Sequence, residues 1–172
     1  MFKTLSSLIT SILFDFSRVI LFPKDPNFHG SLNQLYEDCY KNFDYSFDKY
    51  FLINYELLIL CRRLKNKYSL NIFTTEKIQT LPEVQKYTDG IFEHIYTTSE
   101  VGVNKNDPRS YIFIADENKV ESTNVIFIDD QSENIQAAKI AGYNVIQYLD
   151  NVDLLAKLSY YIDLDNLGPE II

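Results

Sequence analysis

The chain has 172 residues, a net charge of −8 and a pI near 4.7, and its 16 Lys and Arg are scattered along it. That balance excludes nucleic acid or an anionic membrane surface as a partner, since neither would find a compensating basic stripe. A hydrophobic content of 46% with 15% aromatic residues excludes a disordered chain, and the length predicts one domain spanning 1–172 that buries roughly 70% of its unfolded surface.

Met1 to Thr10 reads as a helical or extended lead-in. Ser6, Ser7, Thr10 and Ser11 interrupt its apolar residues and no small-residue cleavage site precedes Asp15, so a signal peptide is not expected. No run resembles a transmembrane helix, and the cytoplasm is the expected compartment. Cys39 and Cys61 are too few and too widely spaced for a disulfide framework or a zinc site; they read as reduced thiols of the core.

Ile12, Leu13 and Phe14 form a short apolar run that fits a strand buried on both faces, and it ends on Asp15. Val19 to Phe22 continues apolar until Pro23, Lys24, Asp25 and Pro26 break it. From Asn27 to Leu52 the chain is dense in Tyr, Phe and Asp, with Ser31 placed to cap a short helix. Aromatic residues among acids there suggest a small satellite core under a solvated face. Asn54 to Tyr68 has helical spacing, an Asn at its start and cations at its far end.

Leu70 to Phe73 is a second strand, ending on Thr74 and Thr75. A helix entered at Pro82 follows, then a third strand at His94–Thr97. Asp107 and Pro108 open a helix to about Asn118; Val125 to Ile128 is the most strand-like run, closed by Asp129 and Asp130. Ser132 to Ala141 is a helix stopped by Gly142, Asn144 to Gln147 a fifth strand, and Val152 to Tyr160 a terminal helix. Strands alternating with helices predict right-handed parallel crossovers and an α/β fold of three layers, Rossmann-like, with no repeat or linker dividing it.

In such sheets chemistry gathers outside the carboxyl ends of the strands. Asp15, Thr74, Lys105 and the pair Asp129–Asp130 all fall just after strands or at helix starts on that edge, with Asn134 a helical turn further on. In this order they resemble the haloacid dehalogenase superfamily, most of whose members are Mg²⁺-dependent phosphatases and phosphotransferases. Asp15-Phe16-Ser17 stands where the family has Asp-x-Asp after its first strand. LNIFTT supplies the Ser or Thr after a strand as Thr74. GVNKNDPRSY places Gly102, Lys105, Asp107, Pro108 and Tyr111 as in the third motif, and IDDQSENIQAAKIAG follows the fourth almost throughout. The likeness covers about residues 11 to 150.

The resemblance implies a phosphatase-like hydrolase in which Asp15 is the nucleophile, through an aspartyl-phosphate. Asp15, the backbone carbonyl of Ser17, Asp129 and Asp130 would hold Mg²⁺, a hard ion suited to carboxylates, with Asp130 the better direct ligand. Thr74, Thr75 and the backbone amides from Phe16 onward would bind the phosphoryl oxygens, with Asn134 orienting water or the carboxylates. Lys105 would offset the charge of Asp15 and phosphate together.

Two departures matter. Ser17 replaces the second Asp, which in typical members protonates the leaving group and activates water; a serine hydroxyl does neither near pH 7. General acid–base help is worth about 10² to 10⁴ in rate, so good leaving groups such as acyl or aryl phosphates are favoured, or His29 supplies the proton, or turnover is lost. Arg18 replaces a small residue and is a candidate to meet a phosphate or a carboxylate. The second departure is size: residues 23–53 make a mini-cap at most, which leaves an open site and admits a small-molecule or protein phosphorylated substrate. A catalytically weak member that binds a phosphorylated ligand or a protein is the alternative. A haloacid dehalogenase fits less well, because such enzymes need no metal and lack the Asp–Asp pair. The sequence leaves substrate identity and oligomeric state open.

Overall fold

The computed structural model describes residues 8–75 and 77–168, so Met1 to Ser7 of the expected lead-in lie outside the described residues. In chain order the elements are β1 (Ser11–Phe14), β2 (Leu21–Pro23), α1 (Leu32–Cys39), α2 (Phe47–Tyr50), β3 (Phe51–Ile53), α3 (Tyr55–Leu64), β4 (Ser69–Thr74) and α4 (Pro82–Thr88). They continue with β5 (His94–Thr97), α5 (Thr98–Val101), α6 (Pro108–Glu117), β6 (Val125–Asp129), α7 (Ser132–Ile140), β7 (Asn144–Gln147) and α8 (Asn151–Leu158).

β1, β4, β5, β6 and β7 form one parallel sheet in the order β5-β4-β1-β6-β7. β1 is its centre, and every residue of it is buried, as its unbroken apolar run requires. The chain builds outward from β1 through β4 to β5, then crosses back to lay β6 on the other flank of β1. The order therefore reverses between β1 and β6, and the ends of these two strands diverge into the crevice where α/β proteins bind ligands.

Alternation along the strands creates the three layers. Ile12 and Phe14 of β1 and Ile126 and Ile128 of β6 face one side, where they join Leu57, Cys61 and Leu64 of α3, Val84 of α4 and Leu154 and Leu158 of α8. Leu13 and Phe127 face the other, against Tyr111 and Ile114 of α6 and Ala137 and Ala138 of α7. The small residues of α7 let that helix lie close to the sheet. Burying each large aliphatic or aromatic side chain here contributes about 1.5–3 kcal/mol. The expected caps are in place: the Ser31 hydroxyl accepts from the Asn33 amide at 3.1 Å, and Asn54 Oδ1 accepts from the Leu57 amide at 3.2 Å.

The segment after β1 differs from expectation in two ways. Val19 to Phe22 is not a simple continuation: β2 pairs antiparallel with β3 in a second, two-stranded sheet that was not legible in the aromatic run. The aromatic stretch is also not a separate satellite. Leu32, Cys39, Phe47 and Phe51 belong to the same cluster as β1 and α3, with Tyr36, Tyr45 and Tyr50 packed against it. Aromatic contacts, among them Tyr36–Tyr45, Tyr45–Tyr50 and Phe47–Phe51, bind the segment to itself. Two short strands anchored in the main core carry α1 and α2 between them. Both cysteines are free and buried, and no helix among the described residues is long and apolar enough to cross a membrane.

Tyr111 shows how the core reaches the strand ends. Its ring is fully buried, edge-on to Phe73 and Phe127, and its hydroxyl donates to the backbone carbonyl of Lys105 at 2.7 Å. Tyr111→Phe removes that donor from a buried carbonyl, so it is expected to lower the unfolding free energy by about 1–3 kcal/mol in urea titration.

Candidate active site

Asp15 follows β1 directly, and its amide donates to the Ile128 carbonyl at 2.8 Å, so the β1–β6 ladder runs on to the residue itself. The residue is 5% exposed, and a carboxylate buried that deeply requires a partner. Lys105 supplies it: the ammonium, 5% exposed, donates to Asp15 Oδ1 at 2.6 Å and lies 2.7 Å from Asp129 Oδ2 at the end of β6. It sits between the rings of Phe73 and Phe127, 5.6 and 5.7 Å from their centroids, so aromatic faces rather than water complete its surroundings.

Asp129 is fully buried and engaged at both oxygens. Oδ1 accepts from the Gln131 amide at 2.7 Å, and Oδ2 accepts from Asn134 Nδ2 at 3.1 Å as well as facing Lys105. Both donors come from the start of α7, whose N-terminal end favours anions. Asp130 is less enclosed: Oδ2 accepts from Gln131 Nε2 at 2.7 Å, and Oδ1 has no hydrogen bond among the described residues. One carboxylate oxygen from each of Asp15, Asp129 and Asp130 falls within a group spanning no more than 4.8 Å. Three carboxylates against one ammonium leave two negative charges uncompensated in this cluster, and an all-oxygen donor set with that excess fits a hard divalent cation.

The acids show the strain of their proximity. Burial pushes the Asp15 carboxyl up to about 7; Lys105 opposes that rise, Asp129 adds to it, and the hydrogen bond from the Phe16 backbone pulls it back. Burial also raises Asp130, helped by Asp129 and resisted by Gln131, Lys105 and Arg18. For Lys105, burial alone would lower the ammonium, but Asp15 and Asp129 prevail and hold it above its ordinary value.

A cleft of about 430 Å³ opens above these groups, and its walls include Ser17, Thr75, Asn104 and Glu133 beside Asp15, Lys105 and Asp130. Thr74 ends β4 fully buried, and the neighbouring Thr75 is the one that reaches the cleft. Phe16 contributes no side chain to it, being fully buried in the core. The Ser17 hydroxyl is buried without a hydrogen-bond partner among the described residues, at the wall of the cleft.

Arg18 follows with a left-handed φ of 58°, a conformation that costs a residue with a Cβ on the order of 1–2 kcal/mol. Its guanidinium donates to the carbonyls of Phe28 and Gly30 at 3.1 and 3.0 Å, bracing the loop before α1. The turn closes with the Arg18 amide on the Leu21 carbonyl at 2.7 Å. His29 is exposed and lies outside the cleft, on the wall of a neighbouring hollow. His94 lies at the sheet edge, 2.9 Å from Glu100.

Asp15, Lys105, Asp129, Asp130 and Asn134 are thus brought together as the sequence motifs placed them. Gln131 donates to both Asp129 and Asp130, and its only signal in the sequence is its place inside IDDQSEN. Asn104 and Glu133 carry no pattern that marks them. A sequence model of the family described as haloacid dehalogenase-like hydrolase matches residues 55–148, the stretch that carries Lys105, Asp129 and Asp130.

The chain belongs to that family. It is 32% identical over 83 residues to Enolase-phosphatase E1 of Synechococcus sp. (strain CC9902), an overlap of 45% of this chain and 33% of the relative. The chain therefore spans about a third of that protein's length. Among solved structures it shares its fold with a haloacid dehalogenase family enzyme of Bacteroides thetaiotaomicron in complex with magnesium and inorganic phosphate. That match has a TM-score of 0.58 at 16% identity and covers 83% of this chain and 96% of the other. A predicted HAD-like family hydrolase from Porphyromonas gingivalis matches with a TM-score of 0.59 at 14% identity, over 88% of this chain and 98% of its own.

The raised carboxyl of Asp15 has a consequence for stability. Between its unfolded value near 4 and its folded value of about 7, the folded state keeps a proton that the unfolded state has lost, so stability falls as pH rises through that window. Asp15→Asn removes the penalty. Without added metal, its melting temperature is expected to exceed that of the native protein by roughly 2–4 °C or more at pH 8, with the gap closing towards pH 5.

Proposed function

We propose that this family member is a Mg²⁺-dependent phosphatase-like hydrolase acting through an aspartyl-phosphate on Asp15. The observation that carries the reading is Lys105, buried and held on Asp15 and Asp129 at once, beside a third carboxylate within 4.8 Å. The Bacteroides enzyme crystallised with magnesium and phosphate and the phosphatase relative support it.

Asp15, Asp129 and Asp130 are the residues that would hold the cation, and Mg²⁺ bound there would supply positive charge for the phosphoryl oxygens. Asp15 attacks phosphorus, the bond from phosphorus to the leaving oxygen breaks, and the leaving group departs with the electron pair. Water then attacks the phosphorus of the aspartyl-phosphate, releasing inorganic phosphate and restoring the carboxylate. Lys105 favours the ionised form of Asp15 against the effect of burial, orients it before attack and offsets the phosphoryl charge as it arrives. Asn134 and Gln131 fix the carboxylate of Asp129, and so the position of Lys105. Thr75, at the wall of the cleft, would donate to the phosphoryl oxygens. Ser17 offers a hydroxyl but no proton of useful acidity, which turns the site towards leaving groups that depart unprotonated.

A second reading, a member that binds phosphorylated ligands with little turnover, is favoured by the same Ser17. One assay set separates them: release of phosphate from an activated aryl phosphate with and without Mg²⁺. The native protein is expected to turn over only with the ion, and Asp15→Asn to lose at least a hundredfold; activity that survives this substitution would sink the nucleophile assignment. Turnover seen only in Ser17→Asp would favour the binding protein instead.

Two variants carry finer expectations. Ser17→Asp restores a carboxyl and should raise hydrolysis of alkyl phosphates by about 10² or more, with a smaller effect on aryl phosphates. Asp130→Ala should abolish most of the heat of Mg²⁺ binding in calorimetry; an unchanged titration would place the ion elsewhere.

A further inference from the structure

The polar cleft accounts for a phosphoryl group and an ion but leaves the rest of a substrate unplaced. A second hollow, of about 890 Å³, shares Arg18 and Asp130 with the cleft, so the two meet at those residues. Its character is different. Phe22, Phe28 and Leu52 form one side, all from the segment that includes β2 and β3, and Tyr148 and Leu149 from the loop after β7 form the other. A hollow of this size lies within the range of small-molecule sites, which are mostly apolar with a few polar groups that fix orientation.

The walls are held rather than loose. Arg18, at the junction, fastens the Phe28 and Gly30 carbonyls. Gly30 lets the Phe28 ring fold back on the chain: a Cβ at that position would meet Phe28 Cζ at 2.7 Å. On the opposite side, Asn54 Nδ2 donates to the Tyr148 hydroxyl at 3.0 Å and to the Val19 carbonyl at 2.9 Å, tying the loop after β7 to the turn that follows Asp15. The apolar hollow and the nucleophile's turn are therefore one braced unit.

We propose that this hollow receives the leaving group of the substrate, and that the substrate class is the aryl phosphate, a small aromatic body esterified to phosphate. The inference rests on the reading of the cleft as a phosphoryl-transfer site. Two independent features converge on it: an apolar, aromatic-lined space that opens directly beside Asp130, and a serine at residue 17 where an alkyl leaving group would need an acid. A phenolate departs without that proton, and its ring matches the walls beside it.

The test uses inert phosphonates, so that it does not depend on turnover. With Mg²⁺ present, phenylphosphonate is expected to bind at least about tenfold more tightly than methylphosphonate in calorimetry, a modest share of what burying a ring can supply. Leu52→Asp and Leu149→Asp, at opposite walls and at positions 48% and 67% exposed, should each reduce that ratio several-fold. Any effect of the new charge on the phosphonate group is common to both ligands and cancels in the ratio. Should one variant fold poorly, the other carries the comparison alone. Equal affinity for the two phosphonates in the native protein, or a ratio that neither variant moves, overturns the assignment of the hollow and leaves the cleft untouched. Binding of neither phosphonate overturns the phosphoryl site itself, and the hollow's role with it.

Discussion

One ammonium group between two buried carboxylates sets the terms for this molecule. Lys105 makes it possible for Asp15 and Asp129 to lie at adjacent strand ends with almost no access to water. Removing the ammonium from such an arrangement would leave two buried carboxylates uncompensated, which is far more costly than never having built it. The surrounding structure is arranged to keep the lysine in place. Tyr111 fixes its backbone from below, two aromatic rings enclose its head, and the start of α7 holds the acid on its far side.

Topology decides where this can occur. Only between β1 and β6 does the strand order reverse, so only there do two central strands deliver acids to a space that no crossover covers. Three carboxylates meet one ammonium in this cluster, and burial, with Asp129 adding to it, raises the carboxyls of Asp15 and Asp130. A site built in this way gives up stability, which under the proposed function would be exchanged for affinity towards a cation and a phosphoryl group.

Much of this was readable in the chain. The apolar runs at Ile12–Phe14 and Val125–Ile128 are long enough and pure enough to be strands buried on both faces, and each is closed by acids, so the sheet and its chemical edge follow from local pattern. GVNKNDPRSY and IDDQSENIQAAKIAG carry their signal in spacing, which survives where overall identity does not. The second sheet was hidden for a physical reason. β2 and β3 are three residues each and pair across an insertion, so neither shows an alternation long enough to recognise, and Pro23 sits within one of them. The aromatic run misled in a related way, because a Tyr on a solvated helix and a Tyr packed on the core look alike until the helix has a partner. Gln131 shows a third limit: a side chain that only orients others has no composition of its own to betray it.

The two faces of the sheet bury separate apolar clusters, and each sends one cation to the strand ends. Lys105 arrives from the layer of α6, whereas Arg18 reaches across to the segment that packs with α3. Away from the ends, the sheet lies between these layers. A bound molecule touching both cations would act as a cross-link between the layers. Occupancy would then be felt as a mechanical clamp on the whole sandwich, and not just as the filling of a surface notch.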